Sequence, residues 1–422
     1  MTYEQITELP ENGSSWEELR QRLEGFKEKD FDWKAGRLPS YTYYFNEETL
    51  EVQRKAYAMF IGENGLGAGR AFPSLSAMQQ DIFAMCLPLF HAPEGAGASF
   101  TSGGTESVFI ITKTARDRAR AKRNEAQGTF NIVTSYAAHP CLDKAAHYLG
   151  IEIRRTPLSP ENSADPAAIT AAIDDRTIMI YSSAPSYPHG RIDPITELAE
   201  ISKSRDLWLH VDACWGGFVS PFATMLGYQL PEWDFAVEGV TSISVDLHKF
   251  GYTAKGASLA IYADKALQAY EGFESGNWPR GTYATPTFMG SKPAGSVAST
   301  WAVLNYMGRQ GYLEATRRTM EATRLLMEGI NGIKGLACVD QKLESNLFVY
   351  VATDPTIDIM AVADRLEAKG WMRGRMREPL GIHQGVNPAH LDTVEEYIEA
   401  VKEAVAHVRS TAATADYDEH SY

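Results

Sequence analysis

The middle of the chain alternates short apolar runs with helical stretches, and this alternation constrains the fold more than any other feature. The runs Phe130–Thr134, Thr177–Tyr181, Leu207–Val211, Ile243–Val245 and Ser258–Tyr262 are rich in β-branched and apolar residues and read as buried strands. Between them, Glu106–Lys122, His139–Leu149, Asp165–Ala172 and Ile195–Arg205 have helical spacing. Parallel strands need long crossover connections, and the crossing helices cover both faces of the sheet. The expected architecture is therefore α/β, a large domain on a mostly parallel sheet. In such sheets ligands bind beyond the carboxyl ends of the strands, so polar residues there are the first candidates for function.

The pattern changes near Tyr312. A long helix over Leu313–Asn331 precedes an apolar strand at Leu347–Val351, a helix at Met360–Lys369, a glycine-rich stretch and a last helix at Asp392–Arg409. This predicts a smaller C-terminal α+β domain. Amphipathic stretches at Trp16–Lys29 and Glu47–Ile61 predict an N-terminal arm. The expected division is an arm over 1–60, a large domain over 61–311, a small domain over 312–409 and a disordered acidic tail over 410–422.

Charge and composition exclude several functions. A net charge of −14 would repel a phosphate backbone, so no nucleic-acid partner is expected. No run approaches the roughly 18 apolar residues of a spanning helix, so no membrane anchor is expected. Met1–Asn12 is too polar for a signal peptide. Cys86, Cys141, Cys214 and Cys338 show no paired spacing and read as reduced thiols of a cytoplasmic protein. No Cys/His set has metal-ligand spacing, so no metal is expected. Gly65-Leu-Gly-Ala-Gly69 imitates a dinucleotide fingerprint but follows a helix and lacks the third glycine in place.

Four elements carry chemistry. Thr101-Ser-Gly-Gly-Thr105 opens a helix, and Gly103, Gly104 and Thr105 suit a phosphate held on free helix N–H groups. His139 follows a strand and can lay its ring on a flat ligand. Asp212 ends the apolar strand in Trp208-Leu-His-Val-Asp212, where a buried carboxylate needs a cationic partner. Lys249, in Ser244-Val-Asp-Leu-His-Lys249, follows another strand. Burial there should lower its pKa and make it a nucleophile able to form a Schiff base. A phosphate turn, a stacking ring, a carboxylate and a lysine in this order fit pyridoxal 5'-phosphate (PLP), with Asp212 on the pyridinium nitrogen and Lys249 on the carbonyl carbon.

These segments resemble the group II PLP decarboxylase superfamily of fold type I, the aspartate-aminotransferase fold, and within it the sphingosine-1-phosphate lyases. The likeness runs through Phe100-Thr-Ser-Gly-Gly-Thr-Glu-Ser, Ala138-His139, Ser183-Ala-Pro-Ser-Tyr-Pro-His-Gly-Arg-Ile-Asp-Pro-Ile, His210-Val-Asp212-Ala-Cys-Trp-Gly-Gly-Phe and Asp246-Leu-His-Lys249-Phe-Gly-Tyr-Thr-Ala-Lys255-Gly. The resemblance implies that His248, Gly104 and Thr105 contact the cofactor phosphate. It makes Lys255 the second lysine that the decarboxylase branch generally lacks at this place. Thr282-Tyr283-Ala-Thr-Pro-Thr-Phe-Met-Gly290-Ser291 resembles the loop that reaches a neighbouring active site in the family. It implies a homodimer with Gly290 and Ser291 at the cofactor and Tyr283 near the substrate.

The sequence also departs from the family. The segment Asn64-Gly-Leu-Gly-Ala-Gly-Arg70-Ala-Phe-Pro lacks the lyases' substrate-phosphate histidine and has Arg70 instead. Asn64 and Arg70 are accordingly the candidate substrate contacts. The signature Gly-Ser-Arg-Pro reads Gly290-Ser-Lys292-Pro. The resemblance implies retro-aldol cleavage of a 2-amino-3-hydroxy compound, a small-molecule amine with an anionic group, to an aldehyde and a smaller amine. Lys255 and His139 are both candidates for the base. Amino-acid decarboxylation on the same cofactor is the alternative.

Overall fold

The computed structural model describes residues 6–415. Seven strands form the large sheet: β1 (Gly97–Thr101), β2 (Asn131–Ser135), β3 (Glu152–Thr156), β4 (Thr177–Ser183), β5 (Trp208–Asp212), β6 (Ser242–Val245) and β7 (Ser258–Tyr262), in the order β1-β7-β6-β5-β4-β2-β3. The pairs from β3 through β6 are parallel, and β7 runs antiparallel to both its neighbours. The sheet is thus mostly parallel, and the fold is α/β as the alternation implied.

Every residue of β2, β4, β5, β6 and β7 is buried, which is why these strands read as continuous apolar runs. One core packs Val133, Ile180, Leu209, Val211, Ile243 and Leu259 beneath the helices of one face. A second packs Ile132, Met179, Tyr181, Trp208 and Tyr262 against the helices Gly104–Arg123 and Cys141–Leu149 on the other.

Beyond the sheet, a helix spans Ala294–Asn331 and runs through the expected boundary at 311–312. Gly308, at φ +52°, interrupts it. The small domain is an antiparallel sheet of β10 (Leu336–Cys338), β11 (Leu347–Ala352), β12 (Gly374–Arg377) and β13 (Leu380–Gly385), in the order β10-β11-β13-β12. The glycine-rich stretch forms the β12–β13 hairpin. Two numbered strands lie outside both sheets: β8 (Phe273–Ser275) and β9 (Tyr283–Thr285) form a separate hairpin. The last helix reaches Thr411, and the Ala415 N–H donates to Asp358 Oδ2 at 3.1 Å. The tail expected from 410 is thus ordered to 415, and its remainder lies outside the described residues.

Candidate active site

The carboxyl ends of β2, β5 and β6 and the start of the helix after β1 converge on one cavity of about 520 Å³. It is lined by Gly103, Gly104, Thr105, His139, Asp212, His248, Lys249 and Lys255, among others. Strand ends that are distant in sequence meet here because a parallel sheet aligns its carboxyl ends along one edge.

The turn after β1 is built for an anion. Ser107 Oγ ties it to the sheet through Thr101 Oγ1 at 2.6 Å and Ser258 Oγ at 2.9 Å. Among the described residues no side chain caps the start of the helix Gly104–Arg123, so its first N–H groups stay available. A Cβ on Gly104 would lie 2.7 Å from Cys214 Sγ and 3.0 Å from Asp246 Oδ2, so only glycine lets the backbone press this closely on the floor. His248 stands beside the turn: its Cε1 is 3.2 Å from where a Cβ on Gly103 would be, and its Nδ1 accepts from the Ala257 N–H. Desolvation holds His248 neutral by lowering its pKa to about 4.

Asp212 is 8% exposed. Its Oδ1 accepts from the Cys214 N–H at 3.0 Å and from Ser244 Oγ at 3.2 Å, and its Oδ2 from Tyr181 Oη at 2.6 Å. Burial alone would raise its pKa. The Tyr181 hydroxyl, nearby His210 and His139 and the Cys214 N–H outweigh that effect and keep the carboxyl below its ordinary value. His139 accepts the Cys141 N–H on Nδ1 at 3.1 Å, and desolvation lowers its pKa. A neutral imidazole is therefore presented to the cavity.

The two lysines differ. Desolvation pushes the Lys249 pKa down as its place after a buried strand suggests, but Asp246 Oδ2 lies 3.0 Å from Nζ and reverses the outcome, leaving the pKa well above the ordinary lysine value. The expected fall at Lys249 is thus overturned by a carboxylate three residues earlier on the same turn. Lys255 is the lysine with a depressed pKa, about 8, chiefly through desolvation and then the Lys249 charge. Its Nζ lies 4.5 Å from the Tyr43 ring centroid.

Sequence reasoning missed Tyr43, Glu106, Tyr187, Cys214, Trp215 and Asp246, all of which line the cavity. Five of them, Glu106, Tyr187, Cys214, Trp215 and Asp246, lie inside the quoted motifs and so had a local signal; Tyr43 had none. Asn64, Arg70, Tyr283, Gly290 and Ser291 do not line it. Asn64 Nδ2 donates to Ser291 Oγ at 2.9 Å, joining the two loops to each other, and Arg70 is exposed. Glu106 connects turn and loop, accepting from the Ser102 N–H at 2.7 Å and the Met289 N–H at 3.2 Å.

A second cavity of about 490 Å³ adjoins the first. It shares Ser40, Tyr41, His139 and Tyr187 with it and is walled on the far side by β12.

An uncapped helix start, a glycine cradle, a buried carboxylate, a neutral ring and a lysine meet the needs of PLP at its phosphate, pyridine nitrogen, ring face and carbonyl carbon. Fold and site together define a fold type I PLP-dependent enzyme. Residues 56–338 match the pyridoxal-dependent decarboxylase conserved domain, and the chain belongs to that family. A sphingosine-1-phosphate lyase of Oryza sativa is 36% identical over 412 residues, covering 96% of this chain and 75% of the relative. A probable L-tyrosine/L-aspartate decarboxylase of Methanothermobacter thermautotrophicus is 32% identical, over 82% of this chain and 91% of its own. The solved sphingosine-1-phosphate lyase Bpss2021 of Burkholderia pseudomallei superposes with a TM-score of 0.91 at 31% identity, over 97% of this chain and 95% of that one. The protein is a PLP-dependent lyase.

Proposed function

We propose that this lyase cleaves the Cα–Cβ bond of a 2-amino-3-hydroxy compound, releasing an aldehyde and a smaller amine. The observation that carries the reading is Lys255, a second amine in the cleft with its pKa lowered to about 8. Retro-aldol cleavage requires a base for the hydroxyl proton, whereas loss of CO2 does not.

When bound, PLP supplies the sink for the electron pair of the broken bond. Lys249 would hold its carbonyl carbon, and Asp212 would keep a proton on its ring nitrogen. Gly103, Gly104, Thr105 and His248 would bind its phosphate, and His139 would stack on its ring. Lys255, in its deprotonated form, would accept the hydroxyl proton; His139, whose pKa desolvation lowers, is the other candidate in the cleft. The likeness to proteins named sphingosine-1-phosphate lyase supports a substrate bearing a phosphate, a phosphorylated long-chain base being the type. Its body would extend into the second cavity. The archaeal relative favours amino-acid decarboxylation as the second reading.

The active unit is a homodimer. Trp16, Leu19, Leu23 and Phe26 are exposed along the helix Trp16–Phe26, and Tyr283, Gly290 and Ser291 lie off their own chain's cleft, where they can serve a second copy. Mixing Lys249→Ala chains with chains inactivated by a change in the Ser291 loop should give hybrids with one intact site, restoring about a quarter of wild-type activity by 1:2:1 assortment. The acidic surface and four buried free thiols support a cytoplasmic location. Among the described residues, no helix is long and apolar enough to cross a membrane.

The deciding experiment incubates the PLP-loaded protein with a panel of 3-hydroxy amines and amino acids and scores aldehyde against CO2. Aldehyde from a hydroxy amine is expected. Release of CO2 from an amino acid, with no aldehyde from any hydroxy amine, would overturn the reading.

A further inference from the structure

Asp212 is held on three sides, and one contact comes from a residue outside every motif that marks the cofactor site. Tyr181 lies on β4, opposite His210 on β5, so Asp212 is its diagonal neighbour two residues along on the same face of the sheet. The ring is 1% exposed and packs against His210 at 5.0 Å between centroids. From that position the hydroxyl reaches Asp212 Oδ2 at 2.6 Å, the shortest of the contacts on this carboxylate. Oδ1 already has two donors. Among the described residues Oδ2 accepts from the tyrosine alone and so retains a lone pair for a further donor.

We infer that Tyr181 is a positioning residue that weakens Asp212 as a base and thereby leaves the proton on the cofactor's ring nitrogen. The inference rests on the reading of Asp212 as the pyridinium partner. A carboxylate that accepts a short hydrogen bond in a dry site has less electron density to offer the next donor. A proton shared between the ring nitrogen and Asp212 then lies closer to nitrogen, and the ring withdraws electrons more strongly. Without the hydroxyl, Asp212 draws the proton back and the sink weakens.

Charged and titratable groups face this carboxylate from every neighbouring element: His139 after β2, Cys141 on the helix Cys141–Leu149, Tyr181 on β4, His210 on β5 itself, Cys214 after it, and Asp246 and Lys249 after β6. Of these, Tyr181 alone donates a side-chain hydroxyl to Oδ2.

The test is Tyr181→Phe in the PLP-loaded protein, which removes one oxygen and keeps the ring. Three quantities are measured: the pKa of the lysine-linked chromophore by absorbance titration, the PLP dissociation constant, and kcat with KM. A less positive ring makes the linking nitrogen more basic. The chromophore pKa should therefore rise by about half a unit or more, with kcat falling about tenfold and KM within about twofold, as expected for loss of one charge-assisted hydrogen bond. A merely structural tyrosine would lower the melting temperature and leave the chromophore pKa in place, and that result would overturn the inference. If Tyr181→Phe fails to fold, 3-fluorotyrosine at position 181 keeps the hydroxyl and makes it a stronger donor. It should move the chromophore pKa down, and an unchanged value would overturn the inference. Asp212→Asn separates the two readings. If it shifts the chromophore while both changes at 181 leave it still, only the role of Tyr181 fails. If Asp212→Asn is also silent, the assignment of Asp212 fails first.

Discussion

The floor of the cleft and the loops at its rim are built on different principles. The floor consists of Gly104, His139, Asp212 and Lys249, each placed by the end of a strand or the start of a helix in one sheet. The rim residues Asn64, Gly290 and Ser291 sit on loops that bond to each other and, through Met289, to Glu106; Tyr283 sits on the β8–β9 hairpin, and none of the four lines the cavity of the same chain. A floor fixed by the sheet can hold charge where a reaction develops it. A rim on loops can change its contacts without disturbing that charge, so it suits substrate choice. Floor substitutions should therefore act on kcat and on the cofactor's spectrum, and rim substitutions on KM.

The largest effect is expected at Lys249. Lys249→Ala should cost about 10⁴-fold or more in activity, because Lys249 is the proposed covalent anchor. Borohydride should no longer fix the yellow chromophore to the chain. Fixation that survives would move the anchor to another lysine, Lys255 first. Asp212→Asn follows, with kcat lower by about 10²–10³-fold, the size of a lost preorganised charge. Circular dichroism and PLP titration should show an intact fold that still binds much of the cofactor. Near-normal turnover would break the division between floor and rim at its centre.

Much of this contrast was legible in the sequence, and the exceptions have physical causes. Lys249, Asp212 and the Gly103–Thr105 turn could be read because each local motif carries its own burial pattern. Five of the seven strands could be read from apolar runs. β1 was missed because Gly97-Ala-Ser-Phe-Thr101 is mostly small residues, and β3 because it lies at the sheet edge with Arg154 and Arg155 partly exposed. Tyr43 and Tyr181 could not be found from sequence. One reaches the cleft from the N-terminal arm, and the other reaches Asp212 only through the β4–β5 register.

Lys255 stands between floor and rim, and its effect should be intermediate. Lys255→Ala should lower kcat about 10²-fold, the lower end for general-base catalysis. The pH profile gives a second check. A base must be deprotonated to act, and the folded pKa is about 8, so wild-type activity should rise as pH passes through about 8 and fall below it. The variant should lose that limb. Full lyase activity with an unchanged profile would pass the base role to His139 and leave the reaction class standing.

The smallest effect is expected at Arg70, and it tests the rim most directly. The side chain is exposed and off its own chain's cleft, so its removal costs little stability. A guanidinium at the rim of a second copy's cleft would meet an anionic substrate before reaction and hold it equally in ground and transition states. Uniform binding of that kind raises KM when lost and leaves kcat alone. One charged hydrogen-bonding contact is worth about 1.5–3 kcal/mol when buried and less at an open rim, so Arg70→Ala should raise KM about tenfold for a phosphate-bearing hydroxy amine. For the same amine without its phosphate the change should disappear. A KM that rises equally for both would mean that Arg70 orders the Gly65–Gly69 loop without touching the anion. A KM unchanged for both would remove this loop from the substrate site, leaving anion recognition to the second cavity beside β12.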